Sequence, residues 1–428
     1  MLSIFQPLCS QSALETLNRT EIIRATEAVA AVFETKYILP EAGKKIAELI
    51  RKNMNVGVYN NLLRGQDLAS RLQKDAQSVN GDRHISINFS PDRIKDRLNP
   101  KLQKKLSEEA RRRARMINHG FEEIHILAGN VGYLKMNRFM GSPAAFETAA
   151  AAMQFLANCD AVIIDLRWNP GGESTMVQFL SSYFLGEEPQ LLDVFHFREN
   201  NRIEQVWSLP SVPGHKLEHA DLYFLTSGLT FSAAEGMAYD LQALKRAVVV
   251  GETTMGGAHP VDIVTIEDKF LVSLPYAFSR NPITQGNFEG TGVKPDVVTD
   301  REDALSKAHS LALERRIDKE DNKTVRSALK WAADGIPIQS VTIPADIKKS
   351  YTGSYGPNKI LFEKGNLFYL FGPGKLRMAP ITKDFFSLEN FDGFRVKIVK
   401  QDNSVTGIEV IYQKGSVERF ARVENIIK

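Results

Sequence analysis

The stretch that most constrains this fold is residues 221–257, DLYFLTSGLTFSAAEGMAYDLQALKRAVVVGETTMGG. Leu222 to Thr226 is a short apolar run, the pattern of a buried strand. A turn rich in Ser, Gly and Thr follows, and then Ser232. Ala233 to Lys245 carries Ala, Met, Leu and Gln at helical spacing. Ala247 to Val250 is a second buried-strand run, broken by Gly251-Glu252-Thr253-Thr254. The unit is strand, turn, helix, strand, with a serine just before the helix starts. The first backbone N–H groups of a helix lack partners within it and favour negative charge. A serine nucleophile there attacks beside ready donors for the oxyanion that forms. The same serine also reads as an ordinary N-cap, and this segment alone leaves both readings open.

The preceding residues repeat the pattern. Val131–Met136 reads as a strand, Pro143–Asn158 as an Ala-rich helix and Ala161–Leu166 as a fully apolar strand. Arg167-Trp168-Asn169-Pro170-Gly171-Gly172 follows, then a helix from about Ser174 to Tyr183. Strand, crossover helix and strand in repetition imply an α/β layered core. The Asn-Pro-Gly-Gly turn falls at the carboxyl end of a buried strand, where open α/β sheets place ligand sites. Two glycines let backbone N–H groups approach a substrate with no Cβ in the way.

Upstream, residues 13–80 read as three helices: one carried by Ile22–Val32, one opened by Pro40, and one over Asp67–Gln77. Gly81-Asp82-Arg83-His84 then leads into Ile85, Ile87 and Phe89, which alternate with polar residues as in a half-buried strand. His84 sits at the mouth of that strand. Residues 93–118 are rich in Lys and Arg, but interleaved acids at helical spacing describe a solvated helix face. After the serine unit come Gly256-Gly257-Ala258-His259, a strand over Lys269–Tyr276, and Asn287-Phe288-Glu289-Gly290-Thr291-Gly292. Helices over 302–315 and 322–333 end the region. From about Pro344, short evenly spaced strands separated by Gly and Asn turns imply an antiparallel β-sandwich or small barrel. Its aromatic residues (Tyr351, Tyr355, Phe362, Phe368, Tyr369, Phe371) read as core.

A chain of 428 residues is expected to hold two or three domains. The divisions expected are a helical domain at 1–82, an α/β core at 83–320, and a linker helix with a β domain at 321–428. A net charge of +3 argues against a nucleic-acid binder. Cys9 and Cys159 stand far apart, without neighbours at metal-ligand spacing, so neither a zinc site nor a disulfide framework is expected. No apolar run has transmembrane length. The first 13 residues are mildly apolar but lack the charged segment of a signal peptide.

Four motifs, DLRWNPGG, TSGLTFSAAE, VVVGETTMGGAHP and FEGTGVKPD, together resemble one serine peptidase family. It includes the tail-specific (carboxyl-terminal processing) proteases, the tricorn protease core and the interphotoreceptor retinoid-binding protein. The resemblance covers roughly residues 14–320 and is nearest the retinoid-binding-protein-like branch. A helical domain precedes the core, and only about 40 residues separate His84 from the first core strand, too few for a PDZ domain. The fold it implies is the layered α/β core of the tail-specific protease (ClpP/crotonase-like) type.

The resemblance implies Ser232 as nucleophile. It implies an oxyanion hole from the N–H groups of Ala233 and Gly171, or Gly172 if the alignment slips by one. The tail-specific proteases take a lysine as base after GETT; the matching position here is Gly257, so no serine–lysine dyad forms. Tricorn-like members instead use a histidine before the core and a glutamate before the Gly-Val-x-Pro-Asp exit, places that His84 and Glu289 fit. They carry a serine just before that histidine, where this chain has Arg83. His259 is the rival base. The chemistry suits these residue types. A serine hydroxyl needs a base in hydrogen-bond reach, histidine exchanges protons near neutrality, and a carboxylate supports the imidazole. The expected function is a serine peptidase independent of metal and cofactor, acting on peptide or protein substrates. The alternative is a non-catalytic protein binding an apolar ligand or peptide on the same scaffold. Relatives are often exported, so the periplasm or the exterior is the compartment implied.

Overall fold

The computed structural model describes residues 16–337, 341–402 and 404–423. Cys9 and the signal-peptide reading fall outside the described residues. These form two compact units, one reaching to His125 and resuming over Gly132–Val298, the other comprising Ile126–Val131 and the chain from Thr299.

The first unit is organised by a six-stranded sheet. Strands Ala161–Asp165, Asp221–Thr226, Ala247–Gly251 and Val297–Val298 run parallel. Val131–Met136 and Phe121–Leu127 complete the sheet on one side. Every residue of Ala161–Asp165 is buried, as expected of a parallel strand covered on both faces. Met153, Leu180, Met237 and Leu241, from the helices Pro143–Phe155, Ser174–Tyr183 and Ala233–Ala243, share a core with Val162, Ile164, Phe224 and Val249. The layered α/β core expected from the sequence is present.

Register matters for function. Asp165 pairs with Leu225, and Thr226 with Gly251, so the carboxyl ends of three parallel strands lie on one edge of the sheet. The turns after residues 166, 226 and 251 leave from that edge and are tied together. Phe231 N–H donates to the Asn169 carbonyl at 3.0 Å, and Met255 N–H to the Thr230 carbonyl at 3.1 Å. The Thr230 hydroxyl donates to the Leu166 carbonyl at 2.8 Å.

The amino-terminal helices are Arg19–Lys36, Pro40–Asn55 and Gly65–Asn80. The first starts three residues before its apolar run opens, because Asn18 and Glu21 form a capping box: each side chain accepts the other's backbone N–H. Gly81, at φ 72°, ends the third helix in the left-handed conformation that glycine adopts without strain. Phe33, Ile50 and Leu72 of these helices share one core with Ile87, Phe270, Val272 and Leu274. The last four belong to a three-stranded sheet, Ser86–Phe89 with Phe270–Pro275 and Val261–Ile266. This packing holds the Asp82–His84 segment beside the hairpin that follows His259. The helix Pro100–Met116 buries no residue, in keeping with a solvated charged face. A further antiparallel sheet, Leu191–Phe197 with Ile203–Trp207 and Ala277–Arg280, was not anticipated from the sequence.

Two carboxyls, Asp193 and Asp240, are buried near one another. Burial, reinforced by Asp193, pushes the Asp240 carboxyl well up, against the hydrogen bond from Asn281. A raised carboxyl holds its proton in the folded state and releases it in the unfolded chain. Its contribution is therefore present at low pH and lost as pH rises. Asp240→Asn keeps an acceptor for Asn281 and removes the ionisation. Its melting temperature is expected to exceed that of the wild type at pH 8, with the gap closing towards pH 4.

In the second unit, strands from Gly353–Tyr355 to Val417–Ala421 pair in sequential order as an eight-stranded antiparallel meander. A bridge between Tyr355 and Arg422, with Val423 N–H donating to the Ser354 carbonyl at 2.8 Å, joins the last strand to the first. Of the two architectures the turn spacing allows, this is the barrel. Tyr351, Tyr355 and Tyr369 lie in its core, whereas Phe371 is exposed.

Candidate active site

Ser232 stands at the junction of the 227–232 turn and the helix Ala233–Ala243, half-buried, with φ 55° and ψ −125°. An ordinary N-cap residue has β-region dihedrals. Ser232 instead adopts a conformation costing on the order of 1–3 kcal/mol, of the kind that persists only when its surroundings over-determine it. Glu235 supplies the restraint. Fully buried, its carboxylate accepts from the N–H groups of Ser232 (2.8 Å), Gly256 (2.6 Å) and Gly257 (2.9 Å) and from the Thr254 hydroxyl (2.5 Å). Burial pushes this carboxyl up, and the four donors oppose the rise. One side chain thus pins the serine turn to the 254–257 loop. Glu235 was not identified from the sequence, although the Ser-x-x-Glu spacing of a capping box was its signal.

The Gly257 loop delivers the second part. The His84 ring packs on Phe231, centroids 4.7 Å apart, next to Ser232 in the chain. A β-carbon at Gly257 would fall 2.2 Å from Phe231 Cε2 and 2.6 Å from His84 Cε1. The imidazole therefore occupies the space that a lysine at this position would enter. Gly257→Ala is expected to displace both rings and to cut the reactivity of Ser232 by about 100-fold, the scale of an ångström misplacement, with the fold retained by circular dichroism.

Around His84 the structure assembles a cluster. Ligand atoms of Asp82, His84 and Glu289 lie within 4.8 Å of one another. Asp82 Oδ1 stands 3.8 Å from His84 Nδ1, and its Oδ2 3.8 Å from His259 Nδ1. Glu289 Oε2 is 3.6 Å from His259 Nδ1 and accepts from Ala258 N–H at 2.6 Å. Burial depresses His84 to about 4, Asp82 pulling against the shift and His259 adding to it, so the ring is neutral at pH 7. Burial would raise Asp82, but His259, the Tyr37 hydroxyl and the His84 N–H outweigh it and hold the carboxyl below its ordinary value. Burial raises Glu289, opposed by His259.

The structure thus brings His84 and Glu289 together, with His259 beside them. His84 faces the serine turn through Phe231, whereas the His259 ring packs towards Phe278, centroids 5.7 Å apart. Arg83 is exposed. Asp82, which sequence reasoning passed over as part of a turn, lies between the two imidazoles; its signal was its position two residues before His84.

On the other side of Ser232 runs the glycine turn. A β-carbon at Gly171 would lie 2.9 Å from both Ser232 Cβ and Ala233 N, so this turn and the helix start abut. Gly171 and Gly172 have φ 97° and 144°, open to glycine and strained for other residues. Gly171 N–H donates to Asn169 Oδ1 at 2.8 Å, so it must be shared or released to bind an oxyanion. Next to Gly172 opens a cavity of about 790 Å³, lined by Phe139, Met140 and Pro143 with Arg111, Arg115 and Arg138.

Residues 130–299 match the model of peptidase family S41, and residues 11–123 match the N-terminal domain of that family in eukaryotic interphotoreceptor retinoid-binding protein. The core belongs to peptidase family S41. The carboxyl-terminal-processing protease of Picosynechococcus sp. is 27% identical over 172 residues, 40% of each chain. The carboxy-terminal-processing protease of Bartonella bacilliformis is 23% identical over 179 residues, 40% of this chain and 39% of its own. The alignments thus span about two fifths of these curated relatives. The solved tricorn protease superposes with a TM-score of 0.45 and 14% identity over 69% of this chain and 37% of its own. No helix among the described residues is long and apolar enough to cross a membrane.

Proposed function

We propose that the chain is a serine endopeptidase hydrolysing peptide bonds through an acyl-enzyme. The observation that carries this reading is Ser232, held strained at a helix start by Glu235, with the His84 ring packed one residue away. In this mechanism His84 takes the proton of the Ser232 hydroxyl as the oxygen attacks the scissile carbonyl. The N–H of Ala233 and the Gly171–Gly172 turn receive the oxyanion. The intermediate collapses as His84 returns the proton to the leaving amine, and a water activated by the same ring then releases the acyl group. Asp82 and Glu289 stabilise the imidazolium that forms at each step. The apolar cavity beside Gly172 accommodates substrate side chains.

The test is labelling with a fluorophosphonate and peptide mapping by mass spectrometry. The adduct is expected on Ser232. A folded chain that takes no label would favour the non-catalytic binding reading. The pH dependence supplies a further prediction. A base depressed to about 4 is deprotonated above that pH and protonated below it. The labelling rate is therefore expected to hold from pH 8 down to about 5 and to fall near 4. A fall centred at 6.5, the ordinary histidine value, would show that His84 is not the base or is not buried.

A further inference from the structure

The proposed reaction uses only part of the chemistry around His84. Both ring nitrogens of His84 and both of His259 are buried without a hydrogen-bond partner, with side chains 6% and 2% exposed. Buried polar atoms are ordinarily satisfied, and a general base needs no more than two of these four nitrogens. Facing them are Asp82, 2% exposed, and Glu289, whose side chain is 19% exposed and lies nearest solvent.

We propose that Asp82, His84, His259 and Glu289 form a binding site for a divalent transition-metal ion of the zinc class, whose occupancy shuts the peptidase off. Two imidazoles and two carboxylates are a nitrogen–oxygen donor set suited to zinc, and two negative charges offset the ion's two positive ones. Magnesium and calcium favour oxygen-only sets and bind poorly here. The spacing agrees. Zinc–ligand bonds of ~2.0–2.1 Å put the ligands of a tetrahedron about 3.4 Å apart. Glu289–His259, Asp82–His259 and Asp82–His84 stand at 3.6, 3.8 and 3.8 Å, and ligand atoms of Asp82, His84 and Glu289 lie within 4.8 Å of one another, so the side chains must draw inward to close on an ion, with His259 joining through Asp82 and Glu289. A metal on His84 removes the lone pair that takes the serine proton. This inhibitory half rests on the role proposed for His84; the binding half does not.

The experiment uses the full chain and zinc chloride. Equilibrium dialysis measures binding to the wild type and to Ser232→Ala, His259→Gln, Glu289→Gln and the double variant His84→Gln/His259→Gln. Melting curves taken without metal show which variants are folded. One equivalent is expected on the wild type and, with equal affinity, on Ser232→Ala. Affinity is expected to fall at least about tenfold in either single variant, and the equivalent to be lost in the double variant. Fluorophosphonate labelling of the wild type is expected to slow at least about tenfold with zinc and to recover on chelation. Should His259→Gln fail to fold, Glu289→Gln, at the solvent side of the cluster, gives the same comparison. Equal binding by the wild type and the double variant would assign the metal to a surface pair such as His125 and Glu123, 3.2 Å apart, and overturn the site. So would an absence of binding. Dialysis decides the site even if no variant takes the label, so its failure and that of the peptidase reading remain distinguishable.

Discussion

Ser232→Ala is expected to lower turnover of a peptide substrate by about 10⁵–10⁶-fold, the scale seen when a serine nucleophile is removed, and to abolish fluorophosphonate labelling. Stability should change little. The restraint on residue 232 acts through its backbone N–H, which donates to Glu235 and survives the substitution. Alanine also inherits the unfavourable φ of 55°. A glycine at the same position separates the two effects. It is equally inactive, yet free of the penalty that a β-carbon incurs at positive φ, so its stability should rise by about 1–2 kcal/mol over the alanine variant. Thermal melts of the two variants side by side read this difference. An alanine variant that stays active would mean the strained serine is not the nucleophile.

The second large effect belongs to Glu235. Its carboxylate is an acceptor for three backbone N–H groups and one hydroxyl, and a carboxylate is the side chain able to accept at both oxygens. Glu235→Gln preserves shape but turns one acceptor into a donor that faces N–H groups. Glu235→Ala leaves four donors without a partner. Both are expected to destabilise the first unit by about 3–5 kcal/mol, as when one partner of a buried charged network is lost. Both should also remove activity, because the serine turn and the Gly256–Gly257 strap lose their common anchor. Chemical denaturation measures the first effect. For the second, labelling below the denaturation midpoint is the readout, since a merely destabilised protein would still react there. A glutamine variant as stable and reactive as the wild type would show that the buried carboxylate does not set the turn.

How much of this was legible in the sequence depended on the range of the interactions. The sheet edge was readable because local signals coincided: apolar runs at 161–166, 222–226 and 247–250, each followed by a turn rich in Gly, Ser, Thr, Asn or Pro. The glycine turn and the serine before a helix followed from the same local patterns. His84 and Glu289 were singled out through family motifs, since nothing local separates them from turn residues. Their meeting depends on the core that Phe33, Ile50 and Leu72 share with Phe270 and Val272, contacts that no periodicity within one segment encodes. Asp82 and Glu235 were passed over for a related reason. Each looks like a routine turn or capping residue until long-range folding brings His259 to one and Gly256–Gly257 to the other. In the β domain the turn spacing allowed sandwich or barrel, and the choice was made by Tyr355 and Arg422, residues at opposite ends of the domain.

The account's central claim is that Ser232 reacts because His84 serves it as base. The most direct test is the rate of fluorophosphonate labelling at pH 7 for the wild type, His84→Gln and His259→Gln, with the adduct mapped in each. The account predicts label on Ser232 in the wild type, a rate lower by about 10²–10⁴ in His84→Gln, the range of general-base catalysis, and a much smaller loss in His259→Gln. A His84→Gln variant that labels at the wild-type rate, or a larger loss in His259→Gln, would contradict it and move the base to the neighbouring imidazole.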